Sequence, residues 1–208
     1  MFKFSKNQKL PEGRWISVTQ VGVGDGRGRE FPLAAGFEKA ILFVRSYRTN
    51  KTYRREAGDV HFRAAVTVPD GGAPVATFDE GSAPDAGAAI MAVLLDDERS
   101  GDASASFCIL PMTMGASEEL KDLSDKQKKD RKLKELDGLS LYRLAFRFLV
   151  TGWSGVADKD GVVHECSDET KDKFLDLFDA GIFGSIVMEA AQDLQQLMRR
   201  EEKAEEGN

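Results

Sequence analysis

Asp158, Asp160, His164, Glu165, Cys166 and Asp168 can each bind a cation or move a proton, and all lie within 158–168. Carboxylates at this density raise the question of calcium, and an imidazole beside a thiol raises that of zinc. Spacing answers both. A calcium loop of the EF-hand kind needs oxygen ligands at its positions 1, 3, 5 and 12 around a glycine at 6. Setting Gly161 at 6 puts Val156 at the first anchor and Ser167 at the last, so neither anchoring carboxylate is there. A zinc-protease helix needs His-Glu-x-x-His, and after His164-Glu165 the second histidine position holds Asp168. A metal site gathered from afar would have to join His61, Cys108, His164 and Cys166, with no Cys-x-x-Cys pair to anchor it. Gly22, Gly24, Gly26 and Gly28 complete no dinucleotide fingerprint, because positions 27 and 29 are arginine, and no Walker lysine follows. They suit a flexible hairpin tip. The expectation is a protein that is not an enzyme, with no catalytic residue, metal or cofactor.

Binding chemistry has one candidate segment. Arg45, Arg48, Lys51, Arg54 and Arg55 form a basic run interleaved with Tyr47 and Tyr53, a mixture that can hold a single-stranded phosphate backbone and stack its bases. Against it stands a formal net charge of −6, which favours a solvated hairpin whose arginines meet acidic surface elsewhere. Single-stranded nucleic-acid binding is thus the alternative reading, beside a structural role in a virion or tail.

The 208 residues, 41% hydrophobic and 31% charged, suit a folded domain with a smaller appendage rather than a disordered chain. Two cysteines make no disulfide framework. No stretch approaches the roughly 18 apolar residues of a membrane span, and the first residues lack a signal-peptide core. A cytoplasmic protein with no membrane partner is expected.

The elements expected from pattern make an α+β fold: a β-rich region over 1–117 with a mobile Gly/Pro/Ala loop at about 69–89, a helical region over 118–198, and a charged, fraying tail over 199–208. Trp15 to Val21 reads as a strand, with Glu30 to Phe37 returning as the second strand of a hairpin. Ala40–Val44 and His61–Val68 read as strands, Ala86–Asp97 as a short helix capped by Asp85, and Ser106–Met114 as a strand ended by Pro111. Glu118–Leu136 is a charged helix whose mixed lysines and aspartates describe a solvated face.

Residues 146–169, FRFLVTGWSGVADKDGVVHECSDE, are the most informative. Leu144, Phe146, Phe148 and Val150 alternate, yet Leu141, Leu144, Ala145, Phe148 and Leu149 also fit a helical stripe; period alone leaves both open, and the Lys/Glu-rich flank favours helix. Gly152 reads as a helix stop, Asp160-Gly161 as a turn, and Trp153 as a core plug beside it. Ser167 suits the N-cap of a helix whose first turn carries Asp168 and Glu169. The succession Gly152-Trp153, Gly155-Val156, Asp158, Asp160-Gly161 resembles the corner of small tail assembly chaperones of tailed bacteriophages. About two thirds of the chain follows the order of elements in that family, and residues 38–105 depart from it.

The resemblance implies a non-enzymatic chaperone that binds the tape measure protein, with the tail tube protein as a further partner, inside the host cytoplasm during infection. From 168 to 200 runs a broad apolar stripe, interrupted by Gly181 and Gly184, each costing up to ~1 kcal/mol in a helix, so a bend or a pair of helices is expected near 181. Phe178, Ile182, Phe183 and Val187 are the candidate contacts to the client or to further copies of the chain, with Phe183, between the glycines, foremost.

Overall fold

The structure, a computed structural model, describes residues 12–26, 29–46, 51–56, 64–78, 84, 86–95, 105–132, 136, 138–157, 160–177 and 180–206. The fold is α+β, with most strands in the first half and the helices in the second. It comprises two compact units, Ile16–Ser106 with Ser154–Val156, and Met1–Trp15 with Phe107–Trp153 and Ala157–Asn208. The helical unit thus reaches back to Phe107, ahead of the expected 118.

In the β-rich unit, β1 (Arg14–Val23), β3 (Ile41–Ser46), β4 (Lys51–Glu56) and β7 (Ala89–Leu95) lie in the order β4-β3-β7-β1, all neighbours antiparallel. β2 (Glu30–Pro32), β5 (Ala64–Thr67) and β6 (Val75–Phe78) form a second sheet, ordered β2-β6-β5. Leu42 and Val44 of β3, Ile90, Ala92 and Leu94 of β7, and Ala76 and Phe78 of β6 meet in one core. Ile41 through Val44 are all buried, so β3 is covered on both faces, which is why it reads as an unbroken apolar run.

Three expectations are corrected here. Ala86–Asp97 does not make a helix: Ala89–Leu95 is β7, because a run with no polar residue cannot present a solvated helical face but can fill a strand between two partners, β1 and β3. Asp85, its expected cap, lies outside the described residues. The segment 69–89 is not one loop, since it contains β6, whose Ala76 and Phe78 are fully buried. Glu30–Phe37 does not return against β1. β2 is only three residues long and pairs β6 instead, while β1 pairs β7 from Ile16 to Val23 with an irregularity between Gln20 and Gly22.

In the helical unit, β8 (Ala105–Ile109) leads through Pro111 into α1 (Met114–Asp130), whose Thr113 hydroxyl accepts the Ala116 N–H at 3.3 Å as an N-cap. Then follow α2 (Gly138–Leu149), β9 (Val150–Ser154), α3 (Asp168–Leu177) and α4 (Ala180–Glu206). Residues 141–149 are therefore helix. Gly152 is a strand residue of β9, beside β8, rather than a helix stop; the stop falls at Leu149–Val150, where the Leu110 N–H takes the Leu149 carbonyl at 2.9 Å. The pair of helices expected near 181 is α3 and α4. The charged tail expected from 199 is helical as far as Glu206, the end of α4, and Arg14 grips Glu201 there with both guanidinium arms, at 2.8 and 3.3 Å.

α4 and α2 touch at Gly184, where a Cβ would stand 2.6 Å from the Tyr142 carbonyl oxygen. Only hydrogen fits, so Gly184→Ala forces the helices apart and should cost roughly 1 to 3 kcal/mol. Gly138→Ala, where a Cβ meets nothing within 4 Å, is the matched control and should leave the urea midpoint nearly unchanged.

Candidate functional site: the Gly-Trp corner and the charged trough

The corner is built from β9 to α3. Trp153 is half-buried, its indole N–H donating to the His164 carbonyl at 2.7 Å and its ring 5.7 Å from that of Phe174. It is thus a clasp between strand and return segment, less enclosed than the expected core plug. Gly155 and Gly161 have φ of +73° and +78°, the region where a side chain is strained, and an isolated bridge pairs Ala157 with Val163 across the Asp160-Gly161 turn. Asp160 and Gly161 form the turn; Asp158 lies outside the described residues.

Ser167 caps α3 as expected. Its hydroxyl accepts the Thr170 N–H at 3.2 Å, while its own N–H donates to the Thr170 hydroxyl at 2.8 Å, a reciprocal cap with threonine in the place usually held by Glu or Gln. Asp168 and Glu169 occupy the first turn, at the positive end of the helix dipole. Lys173 hydrogen-bonds Glu169 at 2.7 Å and holds that carboxyl below its ordinary value.

Phe174 of α3 is the hub of an aromatic cluster. Its ring centre lies 5.4 Å from Phe146 in a stack, 5.8 Å from Phe107, 4.9 Å from Phe183 and 5.7 Å from Trp153. This corrects two of the four expected partner contacts. Phe183 is half-buried with its ring against Phe174 and Phe107, and Val187 is 0% exposed, so both serve the chain's own core. The cause is the close approach of α2, which covers this face of α4. Phe178 lies outside the described residues, and of Ile182 the structure describes only its place in α4.

The basic segment fares differently. Arg48 lies outside the described residues, and Arg45, Lys51, Arg54 and Arg55 stand on the β3–β4 ladder. Position 45 pairs with 52 and 54 with 43, whereas 51 pairs with 46 and 55 with 42. Successive ladder positions alternate between the faces of a sheet, so these four positions divide two and two between the faces.

A further feature gathers Leu144, Phe148 and Asp168, which stand out in sequence only as stripe and cap residues, with charged residues of three helices. An open trough of about 830 Å³ lies between α1, α2 and α3. Ser140, Arg143, Leu144, Arg147 and Phe148 of α2 line it at spacings of three and four, one helical face. Leu123, Lys126, Gln127 and Asp130 of α1, with the C-cap Arg131 just after it, do the same, and Asp168, Asp172 and Asp176 of α3 face them at intervals of four. Arg143 pairs with Asp176 at 2.6 Å, and Arg147 with Asp172 at 3.6 Å and Asp168 at 3.8 Å. Behind the trough the buried Lys171 donates to the Arg147 carbonyl at 3.0 Å, satisfying an acceptor of the last turn of α2. The i, i+3, i+4 recurrence of charge was visible in sequence; that the three helices turn these faces towards one another was not.

Among the described residues no group of three or more His, Cys, Asp or Glu could hold a metal ion, and no helix is long and apolar enough to cross a membrane. Cys108 and Cys166 are free and half-buried, and His61 lies outside the described residues. Burial pushes the Cys166 thiol above its ordinary pKa; the Lys171 ammonium opposes this, and Asp168 and Cys108 add to it. No family model, curated protein or solved structure matches the chain.

Phe174→Ala should destabilise by roughly 3 to 5 kcal/mol, the range for emptying a large aromatic site. Trp153→Phe, which keeps a ring but loses the bond to His164, should cost only about 1 kcal/mol in the same denaturation series. Because the raised pKa leaves less thiolate, Cys166 should be alkylated by iodoacetamide at about pH 8 more slowly in the native than in the urea-unfolded chain. The accompanying stability is full below the unfolded thiol pKa and is lost as pH rises through the folded one.

Proposed function

We propose that the chain is a non-enzymatic assembly chaperone of the tailed-bacteriophage kind. It binds an elongated, apolar tape measure protein in the host cytoplasm during infection and keeps it soluble until tail tube subunits polymerise around it. The observation that carries the reading is the corner. The residues in which the chain resembles those chaperones, Gly152-Trp153 to Asp160-Gly161, join β9 to α3, with Trp153 clasped to His164.

A chaperone of this kind must bind apolar client without precipitating. The net charge of −6 favours that. So does the mixture of open acidic and basic groups around the partly exposed Leu123, Leu144 and Phe148, since such a surface can shield an apolar helix while staying hydrated. Client contact and self-association then fall to the surfaces of the helical unit outside the Phe183–Val187 stripe.

Co-expression with the tape measure protein encoded by the same phage is the test. The soluble fraction of that client should rise several-fold over expression alone, and the two should co-elute in size exclusion. A client that precipitates equally with and without the chain overturns the reading. So does tight binding to single-stranded DNA at physiological salt, falling steeply as salt is raised, in a chain that leaves the client insoluble.

A further inference from the structure

We propose that Cys108 and Cys166 form a redox-sensitive staple, closing an intrachain disulfide in the presence of a hydroperoxide and so locking β8 to the segment that delivers α3. This goes beyond the chaperone reading and does not depend on it.

The chain holds two cysteines in all, and the fold carries both to the corner. Cys108, on β8, stands beside β9: its carbonyl accepts the Thr151 hydroxyl at 3.1 Å, and a Cβ at Gly152 would lie 3.5 Å from its own. The next residue, Trp153, holds the His164 carbonyl at 2.7 Å, two positions ahead of Cys166. β8 and the segment of Cys166 therefore meet on the same short strand. Cys166 is fixed from both sides, because the Thr170 hydroxyl donates to the Glu165 carbonyl at 2.6 Å and Ser167 caps α3 through Thr170. The two half-buried thiols also feel each other's charge: Cys108 adds to the rise in the Cys166 pKa, and a like charge acts in this way over roughly 4 to 6 Å.

Glycines give the Cys108 sulfur room to turn. A Cβ at Gly13 would stand 2.7 Å from Cys108 Sγ, so the thiol fills space that any other residue there would take, and Gly152 leaves a second space beside the Cys108 Cβ. Among the described residues no set of three His, Cys, Asp or Glu could hold a metal ion, which leaves this pair the two-electron chemistry of thiols. Burial keeps the Cys166 thiol protonated, so the first oxidation falls to Cys108. Its thiolate attacks one peroxide oxygen, the O–O bond breaks, and a sulfenic acid forms as an alcohol or water leaves. The Cys166 sulfur then attacks the sulfenic sulfur, the S–O bond breaks, and hydroxide departs as water with the Cys166 proton. Each thiol has given one electron and the peroxide has taken both. A reducing thiol reverses the bond by exchange, as suits a transient disulfide in a reducing compartment. The new bond ties the strands that the Trp153–His164 hydrogen bond already clasps, with a covalent link in parallel.

The full chain treated with hydrogen peroxide, digested without reduction and mapped by mass spectrometry tests this. The expected product is a chain that has lost two hydrogens, with the Cys108 and Cys166 peptides joined. It should form at least about tenfold faster in the native chain than in urea, because folding holds the sulfurs together. Dithiothreitol should restore both thiols. Reduced Trp153→Phe should unfold at a lower urea midpoint than the reduced wild type, and oxidation should bring the two midpoints together, since the staple takes over from the clasp. Cys108→Ser and Cys166→Ser should each form no link, with circular dichroism checking the fold; should either unfold, the mapping of the wild type carries the test alone. Disulfides only between chains, oxidised thiols with no link, or linkage no faster in the native chain than in urea overturns the staple. Midpoints that stay as far apart after oxidation as before overturn the lock.

Discussion

The helical unit depends on the burial of one ring. Phe174 brings together Phe107 from β8, Phe146 from α2, Trp153 from β9 and Phe183 from α4. Mixed stacked and edge-on geometries let each ring set its positive edge against a negative face, a gain of about 0.5 to 1.5 kcal/mol per pair beyond the burial of area. The consequence reaches the surface. On an α-helix residues two positions apart are separated by about 200°, so turning Phe174 inward sends Asp172 and Asp176 to the opposite side of α3. The acidic wall of the trough is thus the outer face of the same packing event.

The corner places that helix. α3 is short, and a helix of its length has little stability of its own in water. It is held by the Ser167–Thr170 cap at its start, by Phe174 in its middle and by the Trp153–His164 clasp on the segment that delivers it. Lys171 adds a tie of a different kind. Its stem is buried and its ammonium ends on the Arg147 carbonyl, so the start of α3 also satisfies the end of α2. Fold and candidate surface share these few contacts, which is why the corner carries structural weight without any catalytic group.

Much of this was legible along the chain wherever the signal is local. The cap at Ser167, the acidic first turn after it, the break between α3 and α4 and the β-branched run of β1 each follow from neighbours a few residues apart. The corner was readable because glycine at positive φ and a turn of Asp and Gly leave a local trace. The charged helix α1 showed as a solvated face, and its lysines and aspartates do line open space.

The rest needed partners distant in sequence. Ala89–Leu95 is apolar throughout and has no period to separate strand from helix; pairing with β1 and β3 decides it. β6 hid in a glycine- and proline-rich stretch because only pairing with β2 and β5 makes so short a strand worthwhile. Phe183 and Val187 belong to a stripe that could have faced a client, until α2 closes over it at Gly184. Sequence by itself determined the α+β class, the caps, the turn and which side of each helix is apolar, because these depend on near neighbours. Tertiary structure alone decided what covers each apolar side and which charged faces look at one another, because hydrophobic burial has no direction and takes whichever surface the chain brings to it.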